Sequence, residues 1–234
     1  MQNRIEVHEP AEVKSVLIIP AYNEGAALGP LVSAALKLPA GCVDGIIVVD
    51  DGSTTKDRGV LPDDVRVTLV RHAHNEGKAR ALIDGVQLAL EQNPDFIVTM
   101  DGDGQHRVQD IPRLLTAAQA VPQTIVVGAR LAGRENIPSA RYRANRFANF
   151  WIAWASGYPV IDSQSGFRVY PSALLRSVLP RLVRRYPVSA SSRRKGFVFE
   201  SEMLIESGRL DHDTTPVQVP AIYETSRSSH FRPV

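Results

Sequence analysis

One cysteine, Cys42, stands among 234 residues. It cannot close an internal disulfide, and a lone thiolate cannot build a zinc site, so a reducing compartment is expected. No stretch of about 18 apolar residues occurs, and Met1 to Lys14 is mixed and acidic rather than a basic stretch leading into an apolar run. Neither a membrane-spanning segment nor an ordinary secretion signal is expected. The dinucleotide fingerprint G-x-G-x-x-G and the P-loop G-x-x-x-x-G-K-[ST] are both missing, which argues against NAD binding and P-loop chemistry. Acids are scarce in one long segment. Between Asn136 and Phe199, eleven Lys or Arg accompany a single acid, Asp162, so a chain of net charge +2 carries +10 there and −8 elsewhere. Such a split points either to an anionic partner for the second half or to a solvated basic face. No internal repeat and no low-complexity tail is found.

With 44% hydrophobic and 22% charged residues, the chain has the composition of a globular domain able to bury a core. Short apolar runs alternate with helix-like stretches, the rhythm of βαβ units over a mostly parallel sheet. The runs are 16–19, 46–49, 65–70, 96–100 and 124–127, and Val/Ile runs of this kind predict strands buried on both faces. Residues 25–38, 77–92 and 109–120 predict helices. In the second, Ala81, Leu82, Gly85, Leu88 and Ala89 form a core stripe at helical spacing. Beyond Ala129 the pattern changes: an aromatic helix at 138–156 bearing Arg141, Arg143 and Arg146, a loop and short strand at 162–170, helices at 173–179 and 199–207, a mobile loop at 187–194 and a last strand at 216–223.

Ligands of open α/β sheets bind beyond the carboxyl ends of the strands. The first four strands are followed by Pro20-Ala-Tyr-Asn-Glu24, Asp50-Asp-Gly-Ser53, His72-Ala-His-Asn-Glu-Gly-Lys78 and Asp101-Gly-Asp-Gly-Gln-His106. Turn chemistry alone does not call for six carboxylates there. In Asp101-Gly102-Asp103, residues i and i+2 of an extended segment point to one side, and the glycine between them permits close approach of a ligand. Two carboxylates so near repel one another and a divalent cation relieves that cost; hard oxygen ligands predict Mg²⁺ or Mn²⁺, shared with a diphosphate.

These motifs, in this order and together with Gly128-Ala-Arg130 and Asp162-Ser-Gln-Ser-Gly-Phe-Arg168, resemble glycosyltransferase family 2, closest to its polyprenyl-phosphate (dolichyl-phosphate-mannose-synthase-like) branch. The resemblance spans residues 14 to 231. It implies one α/β domain of the GT-A fold: a Rossmann-like nucleotide-sugar-binding half at 14–130, an acceptor-binding half at 131–231, and an N-terminal extension at 1–13. It gives Pro20, Tyr22 and Glu24 to the nucleotide base and ribose, Asp51 to the base and Gly102 to the donor, with Lys78 either reaching the donor or fixing its own loop. Asp101 and Asp103 go to the metal, with Gln105 assisting and His106 either joining them or supporting from behind. Arg130, Arg143, Ser165 and Arg168 go to phosphate of acceptor or donor.

The same resemblance implies an inverting transfer from a UDP- or GDP-sugar. If the acceptor is a hydroxyl, a general base is needed, and Asp162 is the first candidate, with Glu200 and Glu202 behind it. If the acceptor is a phosphate, Asp162 serves to orient an arginine. The expected acceptor is lipid-linked and anionic, reached by a cytoplasmic protein held peripherally on an anionic membrane surface by Arg181, Arg184, Arg185, Arg193, Arg194 and Lys195; no nucleic-acid partner is expected. Two other classes stay open on residues alone. A haloacid-dehalogenase-like phosphotransferase also places D-x-D after an apolar strand, but after its first strand, and a nucleotide-sugar sensor would share the site without turnover.

Overall fold

The computed structural model describes residues 13–54, 61–132, 139–186 and 198–220. Seven strands form one sheet: β1 (Ser15–Ala21), β2 (Gly45–Asp50), β3 (Val67–Arg71), β4 (Phe96–Thr99), β5 (Ile125–Ala132), β6 (Arg168–Pro171) and β7 (Thr214–Pro220), in the order β3-β2-β1-β4-β6-β5-β7. Only β6 runs against its neighbours, β4 and β5. The carboxyl ends of β1, β2, β3, β4 and β5 therefore share one edge, and the order reverses between β1 and β4, where such sheets open a crevice.

Among the described residues six α-helices cover the sheet: α1 (Leu28–Leu36), α2 (Lys78–Glu91), α3 (Ile111–Ala120), α4 (Ser139–Ser156), α5 (Ser172–Arg185) and α6 (Val198–Gly208). The period-two geometry of the strands divides the core. Val16, Ile18, Ile47 and Val49 turn to α2, α5 and α6, whereas Leu17, Ile19, Ile46 and Val48 turn to α1 and α3. Short 3₁₀ turns, Gly25–Ala27 and Val108–Asp110, open the stretches read from sequence as the first and third helices. Gly85 lets α2 lie close on β1, because a Cβ there would stand 2.6 Å from the Ile18 methyl. Of the expected α2 stripe, Leu88 is only partly buried.

Three expectations are corrected. β3 is not buried on both faces: Leu69 is exposed and Val65 lies wholly in solvent ahead of it, because among the described residues β3 is the sheet's edge, with no strand paired beyond it. The helix expected to stop at Leu179 runs on to Arg185 through Pro180, held by the burial of Val178 and Leu182 on either side of the ring. Proline removes one helical hydrogen bond, and the packed face outweighs that loss here. β5 extends beyond 127 and contains Arg130 rather than preceding it, with a register shift against β7 between Ala129 and Ala132. The far end of the last expected strand, the mobile loop at 187–194 and the N-terminal extension lie outside the described residues.

Candidate active site

The loop after β1 is stitched to the loop after β2. Asn23, in a left-handed conformation at φ 58°, accepts the Thr54 N–H at Oδ1 (2.9 Å) and donates its own N–H to Ser53 Oγ (2.9 Å). Tyr22 is exposed and Glu24 half-buried. Gly102 meets this loop from β4: a Cβ there would press to 3.3 Å against both Glu24 Cγ and the Pro20 carbonyl. Gly102 thus admits the neighbouring loop.

Asp50 and Asp51 both hold backbone. Asp50 Oδ1 accepts the Ser53 N–H at 2.8 Å, closing the turn as an acid in that position does. Asp51 is 3% exposed. Its Oδ1 accepts the Glu76 N–H and faces His72 Nδ1, and its Oδ2 accepts the Gly77 N–H, each at 2.8 Å. The carboxylate expected to bind the base thus holds the 72–77 loop in this structure. His72, which sequence reading passed over, stands between Asp51 and Asp84, 3.1 Å from the latter. Its place shows only once α2 folds back on β2.

That loop delivers Lys78 to the centre. Lys78 Nζ lies 2.6 Å from Asp101 Oδ1 and 2.6 Å from Glu200 Oε1. Burial works against its charge, but the two carboxylates outweigh burial and hold its pKa above the ordinary lysine value. Asp101 responds in kind: burial would raise its pKa, and the Lys78 ammonium overrides that and lowers it. Asp103 behaves oppositely. Burial, helped by the charge of Asp101, raises its pKa despite the N–H that Gln105 donates to its Oδ1 at 2.9 Å. The two carboxylates are therefore neighbours that feel one another, as their spacing required.

Gly166 closes the other side. A Cβ there would stand 2.5 Å from Asp101 Oδ1, and its carbonyl accepts the Thr99 hydroxyl at 2.9 Å. His106 is buried, its ring 5.1 Å from that of Phe167, and its Nδ1 has no hydrogen-bond partner among the described residues. Burial above all lowers its pKa to about 4, although Asp101 pulls the other way.

Arg130 enters from β5. Its Nε and Nη2 meet Asp162 Oδ2 and Oδ1 at 3.0 and 3.2 Å, a two-pronged pair of the kind guanidinium geometry favours. Burial raises the Asp162 pKa, and the Arg130 hydrogen bonds and charge more than reverse that. A carboxyl held low and pinned by an arginine is a poor proton acceptor.

Two expected phosphate ligands are structural in this arrangement. Arg168 is fully buried, and Nε, Nη1 and Nη2 donate to the carbonyls of Ser165, Glu200 and Ser163, each at 2.8 Å. Ser165 is likewise fully buried and gives its hydroxyl to the Gly128 carbonyl at 2.7 Å. Both hold the 162–167 loop against β5 and α6 and so position Asp162 and Gly166. Arg143 is exposed on α4. Of the arginines expected on a membrane, Arg181 pairs with Glu206 (2.7 Å) and Arg185 with Glu202 (3.0 Å), in a groove of about 500 Å³ between α5 and α6 that contains none of the strand-end carboxylates. Arg193, Arg194 and Lys195 lie outside the described residues.

Residues 16–182 match the model of the family described as glycosyl transferase family 2. The chain is similar to the UDP-N-acetylglucosamine–dolichyl-phosphate N-acetylglucosaminyltransferase of Methanococcus voltae, 30% identical over 190 residues that cover 73% of this chain and 74% of that one. It is also similar to the undecaprenyl-phosphate mannosyltransferase of Micrococcus luteus, 28% identical over 205 residues, 85% of this chain and 79% of that one. Among solved structures, glucosyl-3-phosphoglycerate synthase from Mycobacterium tuberculosis, in complex with Mn²⁺, UDP and phosphoglyceric acid, superposes with a TM-score of 0.63 at 18% identity, covering 92% of this chain and 72% of that one. That likeness shows the fold, the mixed α/β GT-A arrangement.

Proposed function

The chain belongs to glycosyltransferase family 2 and is a glycosyltransferase, and from that premise we propose an inverting, metal-dependent transfer from a nucleoside diphosphate sugar to a polyprenyl phosphate at the cytoplasmic face of a membrane. The relatives named for polyprenyl-phosphate acceptors support the acceptor class. The observation that carries the reading is the cluster at the β1/β4 crevice: Asp101 and Asp103 side by side, Lys78 on the first, and the Arg130–Asp162 pair close enough for the Arg130 charge to act on both. We assign residues 14–130 to the donor half and 131–231 to the acceptor half, with Pro20, Tyr22 and Glu24 beside the nucleoside.

Asp101 and Asp103 fit a hard divalent cation, Mg²⁺ or Mn²⁺. They are partly buried, and the second is disfavoured as an anion by burial and by the first, a cost that a cation removes. Asp101 and Asp103 would hold the ion together with the donor diphosphate, with Gln105 alongside. When bound, the ion offsets the charge that develops on the departing diphosphate. Lys78 and Arg130 bring fixed positive charge to the same place.

The state of the acids favours a phosphate acceptor. Attack by a hydroxyl needs a base, yet Asp162 is held low by Arg130 and Glu200 is buried against Lys78. A phosphate monoester arrives already anionic and needs neither. Asp162 then orients Arg130 toward phosphate, and Arg143 is free to take part from α4. The test is transfer of labelled sugar from a panel of UDP- and GDP-sugars to a short polyprenyl phosphate with Mn²⁺ and with EDTA, alongside a polyprenol and a saccharide acceptor. Transfer to the phosphate alone, lost with EDTA, is expected. Transfer to hydroxyl acceptors only would overturn the acceptor assignment, and equal turnover in EDTA would overturn the metal.

A further inference from the structure

The basic cluster on α5 largely pairs with acids of α6, but α4 carries a different surface. Phe147, Phe150, Trp151 and Trp154 recur at i, i+3, i+4 and i+7 and so share one helix face. They are 67, 63, 49 and 74% exposed. Their rings meet edge to face, with centroids 5.5 to 6.0 Å apart, which makes one continuous aromatic patch rather than scattered side chains. Isolated exposed apolar residues are ordinary; a contiguous patch of large ones marks an interaction surface.

The helix is not a loose end. Its opposite side is seated on the molecule: Ile152 and Ser156 are buried, and a Cβ on Gly208 of α6 would collide with the Ser156 carbonyl. Asn149 ties it to the active site, donating from Nδ2 to the Ile161 carbonyl at 2.6 Å and accepting the Ser163 N–H at 3.0 Å. Those two residues flank Asp162, the partner of Arg130. Ile161 is itself exposed.

Charge selects the occupant. α4 contains three arginines and no acid. Arg143 and Arg146, both exposed, stand one turn ahead of Phe147 and Phe150, so the same stripe begins cationic and continues aromatic. A protein partner's apolar face does not call for that sequence of groups, whereas an anionic bilayer surface does: arginine meets headgroup phosphate while Trp and Phe settle at the headgroup–acyl boundary.

We infer that the α4 face of Phe147, Phe150, Trp151 and Trp154, led by Arg143 and Arg146, is the surface on which this protein docks on an anionic lipid bilayer. The inference does not use the acceptor assignment. Docking there would bring the 161–163 loop, and with it the Arg130–Asp162 pair, next to the lipid.

The chain's two tryptophans are both on this face, so emission excited selectively at tryptophan, beyond tyrosine absorption, reports on it alone. The experiment adds vesicles of phosphatidylglycerol and phosphatidylcholine in equal parts, or of phosphatidylcholine alone, with and without bromine-labelled acyl chains. A shift of emission to shorter wavelength, with bromine quenching, is expected on the anionic vesicles and reduced by salt. Phe150→Ser with Trp154→Ser should weaken vesicle binding about ten-fold or more while leaving the thermal melt unchanged, since both side chains are exposed. Emission unmoved by either vesicle overturns the inference. So does emission already at short wavelength in the free protein that reddens on dilution as a dimer dissociates in the ultracentrifuge, which would make a second copy the occupant. Vesicle docking without sugar transfer to polyprenyl phosphate supports this surface and removes the acceptor reading instead.

Discussion

Arg168 and Arg130 show how differently one residue type can serve on two strands that border the same 162–167 loop. Arg168 satisfies three buried carbonyls, so Arg168→Met should cost about 3 kcal/mol or more, since each orphaned buried acceptor costs about 1–3 kcal/mol; urea denaturation checks this, and an undiminished midpoint with lost nucleotide binding would return Arg168 to the ligand. Gly166 is bounded by Asp101. Gly166→Ala must push that carboxylate aside, and displacements of about 1 Å near reacting groups cost roughly a hundred-fold in rate, so single-turnover transfer should fall by about that factor with the fold kept. His106 sets a pH dependence. Its pKa of about 4, against an ordinary 6.5, means that between those values the unfolded chain holds a proton that the folded chain lacks. Stability then falls as pH drops from 6.5 to 4, by an amount on the order of 3 kcal/mol. His106→Leu, similar in bulk against Phe167, should flatten that part of the stability–pH curve, measured by thermal melts at constant ionic strength.

Elements were far more legible in the sequence than contacts were. The Val/Ile runs of β1, β2 and β4 and the stripe of α2 announce themselves because burial imposes a period on composition. β3 announced itself as a strand but not as an edge, since an edge strand keeps strand-like residues while losing cover, and α5 outran its proline because tertiary packing overrides local propensity. The strand-end rule singled out Asp101, Asp103, Lys78 and Arg130, and the fold brings these four near one another. The rule could not say which acids would be spent on backbone. Asp51 holds the loop that delivers Lys78, a fact set by the return of α2 across β2 and written in no local pattern. Asn149 was invisible for the same reason: its partners, Ile161 and Ser163, lie in a loop that only the fold brings to α4. Asn149→Leu should therefore leave helix content intact and loosen the 161–163 loop. Hydrogen exchange at Ser163 and at Arg130, whose N–H meets Asp162, should quicken while exchange in β1 stays unchanged; uniform quickening would mean global destabilisation instead.

At the scale of the whole molecule, negative charge gathers at the strand ends of the first half and positive charge in the second, and the two meet at Lys78, Asp101 and Arg130. On the metal-dependent reading proposed above, the charges of this cluster would be balanced only when an anionic ligand and a cation bind together. Asp103 carries the imbalance, because its ionised form is disfavoured by burial and by Asp101, while Asp101 is relieved by Lys78. The two acids should therefore answer oppositely to removal of charge. Asp103→Asn takes away a repulsion and should leave the melting temperature unchanged or slightly higher; Asp101→Asn deprives Lys78 of one of its two carboxylates and should lower it. Ligand reverses the ranking. A nucleoside diphosphate at about 100 times its dissociation constant stabilises a folded site by about 2.7 kcal/mol, which for a chain of this size raises the melting temperature by roughly 5–10 °C. That rise should appear in the native protein only with Mn²⁺ or Mg²⁺ present, and should vanish with EDTA and in Asp103→Asn. Differential scanning fluorimetry with UDP and GDP, with each ion and with EDTA, reads all of these at once. A rise of equal size in EDTA would mean that Lys78 and Arg130 hold the diphosphate without a cation, leaving the Asp101–Asp103 pair a different task from metal binding.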